Sequence, residues 1–171
     1  NTGGMGTFSP SPFYTKEVDE FCKKYIYQAT VDAMANEGRP FKGVIFFGLM
    51  LTPNGPRVLE YNARFGDPET EVVLPLLSSD IFDIFMAAAK NQPFSSANWK
   101  KDVTMGVVMA SNGYPASYQK GFIINGLDTV DCKVFHMGTA AKEGNILTNG
   151  GRVLMVVATA SDIRKAQAIA Y

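Results

Sequence analysis

Three side chains at alternate positions, Glu60, Asn62 and Arg64, supply a carboxylate, an amide and a guanidinium just before the break Gly66-Asp67-Pro68. If residues 57–65 are extended, all three share one face, because successive strand side chains point to opposite sides. Residues two apart on a strand have α-carbons separated by roughly 7 Å, so the oxygens of Glu60 and Asn62 can converge on one small cation. Magnesium suits that pair, since it takes oxygen ligands, keeps several waters and is shared with substrate phosphates. Arg64 stands one step further along, with a planar fork that fits a phosphoryl or carboxylate group while charge moves during transfer. The plainer alternative is the wet face of a half-buried hairpin, and on pattern alone both readings stand.

Other candidates are weaker in isolation. Gly3-Gly4-Met5-Gly6 allows close backbone approach and presents amide donors to a phosphorylated or carboxylated substrate, or it is only a turn. Asp67 precedes Pro68, where it could also form an Asx-type turn. Asn149-Gly-Gly-Arg152 reads either as an anion contact through Arg152 or as a hairpin turn between two strands. His136 is the only histidine. It is left out of the catalytic set, because a strand histidine is more often structural.

The elements that must position these residues follow from periodicity. Thr15 caps a helix in which Val18, Phe21, Cys22, Tyr25, Ile26, Ala29, Ala33 and Met34 recur at helical spacing, closed by Gly38. Lys42 to Leu51, a Thr52–Gly55 turn and Arg57 to Phe65 form a hairpin. Its second strand sets Leu59, Tyr61, Ala63 and Phe65 against Val58, Glu60, Asn62 and Arg64. Ser79 caps a helix to about Lys90 whose inner side holds Ile81, Ile84, Phe85 and Ala88. A polar linker at Asn91–Lys101 separates this part from strands at Val103–Ala110, Gly121–Ile124, Lys133–Met137, Asn145–Leu147 and Arg152–Ala160, then a helix capped by Ser161. Asn1–Pro12 reads as a loop.

The chain has 171 residues, 46% hydrophobic and 12% aromatic, which is enough to bury a core. Sixteen basic and sixteen acidic side chains cancel, so no cationic field exists to hold nucleic acid or an anionic membrane. Cys22 and Cys132 have no metal-ligand or disulfide-scaffold spacing, which predicts a reducing, cytoplasmic setting. No apolar run approaches the length of about 18 residues that spans a membrane. The first residue is not Met and the last run stops inside a helical pattern, so both ends read as cut from a longer enzyme.

Taken in order, Asn1-Thr-Gly-Gly-Met-Gly6, Phe41-Lys-Gly-Val44, Gly48-Leu-Met-Leu51, Val58 to Thr70, Gly113-Tyr-Pro115, Val134-Phe-His-Met-Gly-Thr139 and Thr148-Asn-Gly-Gly-Arg-Val-Leu154 resemble the motif series of the phosphoribosylamine-glycine ligase family. The resemblance covers nearly the whole chain. It implies an α+β chain: residues 1–92 as the C-terminal part of an ATP-grasp domain, an antiparallel sheet with helices, and 93–171 as a small β-rich C-terminal domain. The implied reaction joins glycine to 5-phosphoribosylamine, with ATP as co-substrate and Mg2+ (or Mn2+) as cofactor, through glycyl phosphate.

By position, the resemblance gives Glu60 and Asn62 as metal ligands and Arg64 as the arginine near the reacting phosphoryl group. Gly3, Gly4, Gly6, Gly66, Asp67 and Arg152 become substrate-binding candidates, Asp67 towards the glycine amine and Arg152 towards the ribose phosphate. Leu49 or Met50 either packs on the adenine or is simply core. Many ATP-grasp enzymes carry another acidic ligand on the preceding strand, whereas Val44–Leu51 has none. The lid and much of the nucleotide site belong to an N-terminal half preceding Asn1, so this chain alone is expected to be inactive. The competing readings are another ATP-grasp carboxylate-amine ligase with a different acceptor, and a non-catalytic scaffold.

Overall fold

The computed structural model describes residues 2–93 and 96–171, so Asn1 of the glycine-rich motif and Phe94 and Ser95 of the linker lie outside the described residues. Antiparallel sheets and helices are mixed, as the α+β expectation required. The contacts group the chain into two compact units. One comprises Asn1–Pro10, Asp67–Leu77 and Trp99–Tyr171, the other Ser11–Gly66 and Ser78–Asn98.

In the first unit, β1 (Gly6–Ser9), β4 (Val103–Ala110), β8 (Arg152–Ala160) and β5 (Lys133–His136) form an antiparallel sheet in the order β1-β4-β8-β5. β1 had read as loop, and only its pairing with β4 makes it a strand. On β4, Thr104, Gly106 and Val108 are buried at alternate positions, as a two-residue period demands. They face α3 (Thr70–Val73), which runs into a 3₁₀ turn at Leu74–Leu76. Val72, Val108, Met155 and Val157 form the core, with Val73, Phe135 and Met137 against it. The Thr104 hydroxyl donates to the Val72 carbonyl, satisfying a buried polar group. Gly106 packs closely, since an added Cβ would stand 1.9 Å from Met155 Cε and 3.0 Å from Val72 Cγ1.

α5 (Ile163–Ala170) packs on β4 and β8 and is capped by Asp162, whose carboxylate accepts from Lys165 N, one residue later than the expected Ser161 cap. β6 (Thr139–Lys142) and β7 (Asn145–Thr148) form a separate ladder, and β6 was not foreseen. The expected strand Gly121–Ile124 is irregular but runs beside β7, with a bridge from Ile123 to Leu147 and backbone bonds from Gly121 N to the Thr148 carbonyl, Thr148 N to the Phe122 carbonyl and Ile124 N to the Ile146 carbonyl. Because β7 pairs with β6 while β8 pairs with β4 and β5, Asn149-Gly-Gly-Arg152 is not a hairpin turn between paired strands.

In the second unit the helix capped by Thr15 appears as α1 (Lys16–Cys22), a π-helical Lys23–Tyr27 and α2 (Gln28–Asn36), closed by Gly38 at φ 73°. Cys22 and Ile26 are buried. β2 (Phe46–Thr52) and β3 (Gly55–Asn62) make the hairpin, shorter at its open end than the expected 42–51 and 57–65. Phe46 already pairs with Asn62, so residues beyond either one have no ladder partner. Arg64 therefore lies in a bend rather than on the strand face. The register shifts between Gly48 and Leu49 while β3 passes over Leu59, a bulge that breaks the simple alternation. Leu59 and Tyr61, placed by the alternation on the face away from Glu60, are 63% and 55% exposed. α4 (Ile81–Ala89) is capped by Asp80 rather than Ser79, and Phe85 is exposed whereas Met86 and Ala87 are half-buried. The Ser79 hydroxyl instead accepts from Asn98 N.

Candidate functional site

In the second unit the hairpin brings the metal and anion candidates together. Asn62 Nδ2 donates to Glu60 Oε1 at 3.1 Å, and Arg64 Nη2 reaches Asn62 Oδ1 at 3.4 Å. Arg64 is anchored by Nη1 on the carbonyl of Phe65 at 2.6 Å. Glu60 is exposed and Asn62 half-buried. Opposite Glu60 stands Gly48, and a Cβ there would come 2.8 Å from Glu60 Cγ, so the glutamate stem lies across a bare α-carbon. The bulge and the glycine together aim the carboxylate. Leu49 and Met50 occupy the facing strand opposite Val58 and Arg57, and Met50 is half-exposed. Glu60 offers carboxylate oxygens of the kind magnesium takes, whereas Asn62 turns its amide nitrogen to Glu60 and its oxygen to Arg64, so the two oxygens do not converge as the strand spacing had suggested. Among the described residues no group of three or more His, Cys, Asp or Glu could hold a metal ion, so the candidate set remains this pair.

In the first unit, Gly3, Gly4, Asp67 and Arg152 converge. Arg152 Nη1 meets Asp67 Oδ1 at 3.0 Å, the Gly4 carbonyl at 3.2 Å and the Asp67 carbonyl at 3.3 Å. The arginine side chain is 19% exposed and the aspartate 50%. Gly3 lies against the guanidinium, where a Cβ would stand 2.8 Å from Cζ, and a Cβ on Gly4 would stand 2.6 Å from Pro68 Cδ. These glycines are thus set by close packing, not by turn geometry alone. All three arginine contacts use Nη1, leaving Nε and Nη2 without a hydrogen-bond partner among the described residues. Gly6 is drawn out of the loop into β1, opposite Val107. Gly66 is buried.

Two neighbours were missed by sequence reasoning. Tyr114 accepts a hydrogen bond from Gly3 N at 3.0 Å. Glu71 has a buried oxygen, Oε2, with no hydrogen-bond partner among the described residues. Burial pushes its carboxyl above the usual range, with Asp67 and Glu69 adding to the effect, while its own backbone hydrogen bond and Arg152 oppose it. The Gly113-Tyr-Pro115 triad was a visible signal for Tyr114; Glu71 carried none.

Comparison with known proteins adds to this geometry. Residues 1–70 match the family described as "Phosphoribosylglycinamide synthetase, ATP-grasp (A) domain", and residues 104–171 match "Phosphoribosylglycinamide synthetase, C domain". The chain is 48% identical over 172 residues to the trifunctional purine biosynthetic protein adenosine-3 of Gallus gallus, with 97% of this chain and 17% of that protein covered. It is 45% identical over 173 residues to a phosphoribosylamine-glycine ligase of Halalkalibacterium halodurans, covering 100% of this chain and 40% of that one. The crystal structure of phosphoribosylamine-glycine ligase from Thermotoga maritima superposes with a TM-score of 0.82 at 32% identity, covering 100% of this chain and 42% of that chain. The chain spans less than half the length of these relatives.

Proposed function

Since the chain belongs to the phosphoribosylglycinamide synthetase family, whose A domain is of the ATP-grasp type, we propose that it is part of an enzyme that ligates glycine to 5-phosphoribosylamine. The products are glycinamide ribonucleotide, ADP and phosphate. The observation that carries the proposal is the succession of A-domain and C-domain matches in one chain, with Glu60, Asn62 and Arg64 inside the first and Arg152 inside the second. ATP first phosphorylates the glycine carboxylate. The phosphoribosylamine nitrogen then attacks the acyl carbon and phosphate leaves, so the protein's task is positioning and charge neutralisation.

In this proposal Glu60 and Asn62 hold Mg2+ (or Mn2+), which when bound neutralises phosphate charge. Arg64 offers its fork to the phosphoryl group in transfer. Leu49 and Met50 give the adenine an apolar contact. Gly3 and Gly4 let the backbone approach Arg152 closely, the remaining donors of Arg152 take the ribose phosphate, and Gly6, Gly66 and Asp67 complete the substrate set. A cytoplasmic setting and a domain boundary at 92/93 belong to the same proposal; among the described residues no helix is long and apolar enough to cross a membrane.

The test is glycine-dependent ADP release by the intact parent enzyme, with phosphoribosylamine generated in place. Release with glycine alone among amino acids supports the reading. Equal release with another carboxylate points to a different ATP-grasp ligase, and none at all to a scaffold.

A further inference from the structure

Tyr114 joins two segments that are far apart in sequence. Its hydroxyl accepts from Gly3 N, a contact spanning 111 residues. Its ring lies on the α-carbon of Gly151, where a Cβ would stand 2.1 Å from Cδ2 and 2.5 Å from Cε2. Gly151 immediately precedes Arg152, and Gly3 is the residue stacked on the guanidinium of Arg152. One phenol therefore touches the residue before the arginine and the residue covering it.

The tyrosine is itself braced. Tyr114 N donates to the Ser111 carbonyl at 3.1 Å, and Ser111 returns two bonds to the glycine turn, N to the Gly151 carbonyl at 2.8 Å and Oγ to the Gly150 carbonyl at 2.7 Å. Gly113 takes φ 97°, and a Cβ there would stand 2.4 Å from the Ser117 carbonyl oxygen, so a side chain at 113 would displace the tyrosine loop. Tyr118 closes the far side, with ring centroids 6.1 Å apart. These contacts hold the half-buried phenol over Gly151, and its hydroxyl is the polar atom through which it holds the glycine-rich loop.

We propose that Tyr114 is a positioning residue, a clasp that holds the Gly3–Gly4 backbone against Arg152 and so sets the geometry of an anion site for the phosphorylated pentose. This rests on the substrate-site reading of Gly3, Gly4 and Arg152 given above. The clasp acts through the hydroxyl, so Tyr114→Phe separates it from packing: the ring stays on Gly151 and only the bond to Gly3 is lost.

In the intact parent, Tyr114→Phe is expected to raise KM for phosphoribosylamine roughly three- to tenfold, the scale of one lost hydrogen bond. KM for ATP and for glycine, kcat and the melting temperature should stay near wild type. A uniform change in all constants, or none, overturns the inference. Titration of ribose 5-phosphate into the wild-type and Phe proteins reads the clasp without turnover. Weaker binding by the variant supports it, while equal affinity, or no binding by wild type, overturns it. Absence of glycine-dependent ADP release from wild type would instead overturn the ligase reading, so the two failures are distinguishable.

Discussion

Glu60 sits on an exposed strand position with its stem across Gly48 and one oxygen bonded to Asn62, so its replacement by Gln creates no cavity and strands no buried charge. In the parent enzyme, Glu60→Gln should shift stability by no more than about 0.5 kcal/mol. It removes the one carboxylate from the proposed metal pair, and with it Lewis-acid stabilisation of several kcal/mol. Activity is expected to fall roughly a hundredfold or more at saturating magnesium. A variant that melts like wild type and keeps above about a tenth of the activity would dismiss Glu60 as a ligand. Glu71 gives the opposite kind of test, on stability alone. Its folded-state carboxyl binds its proton more tightly than the usual 4.5, so the folded protein holds more protons than the unfolded one in the window above 4.5. Stability is then lost as pH rises through that window, and is unaffected below it. Glu71→Gln removes the penalty, so its melting temperature should exceed wild type near neutral pH and converge with it by about pH 4. A constant gap across pH would rule out ionisation as the cause. Glu60 and Asn62 were legible because a two-residue period puts them together; Gly48, Glu71 and Tyr114 acquire their roles only through contacts the chain makes at a distance.

The elements divide by the same rule. β4 and β8 match their sequence bounds, since Val103–Ala110 and Arg152–Ala160 are β-branched runs stopped by polar or glycine breaks. β1 was invisible, because four residues among Gly and Pro become a strand only when paired with Ser9 opposite Thr104 and Gly6 opposite Val107. Helix starts were misplaced by one residue where Ser79-Asp80 and Ser161-Asp162 offer two cap types in a row, and the aspartate won both times. The side chains that interlock β4 with β8 define a stability test. In Gly106→Ala the new methyl would stand 1.9 Å from Met155 Cε, and Met155 is fully buried with no free space to turn into. Overpacking of this kind costs about 1–3 kcal/mol, readable as a lower urea midpoint with an unchanged slope. An unchanged midpoint would mean that the core accommodates the methyl. The linker also resolves into two parts, since Asn98 N bonds Ser79, Trp99 bridges Leu77 and Lys100 N bonds the Leu76 carbonyl. Limited proteolysis should therefore begin at Asn91–Pro93, which is exposed, and spare Asn98–Lys101. First cleavage within Asn98–Lys101 would argue against that anchoring.

Across the whole molecule, burial is shared unequally. The first unit holds Val72, Leu76, Val108, Val153, Leu154, Met155, Val157, Ala158 and Ala166 as buried apolar residues, the second only Cys22 and Ile26 among those described. Few buried contacts mean a low free energy of local opening. Amide hydrogens of β4 and β8 should thus exchange slowest, and those of β2 and β3 markedly faster. The hairpin with the weaker support is also the one that carries Glu60 and Asn62, and its Leu59, Tyr61 and Met50 are at least half-exposed. Relatives in which this chain covers 40% or 42% of the length contain additional chain that can cover such a surface. Two outcomes follow. The 171-residue chain should release no ADP in response to glycine, because an unshielded site lets water reach an acyl phosphate and leaves the ligands loosely held. In the intact parent, protection of the β2 and β3 amides should rise while that of β4 and β8 changes little. Turnover by the short chain, or equal hairpin exchange in both proteins, would show that the hairpin reaches its working geometry without the rest of the enzyme.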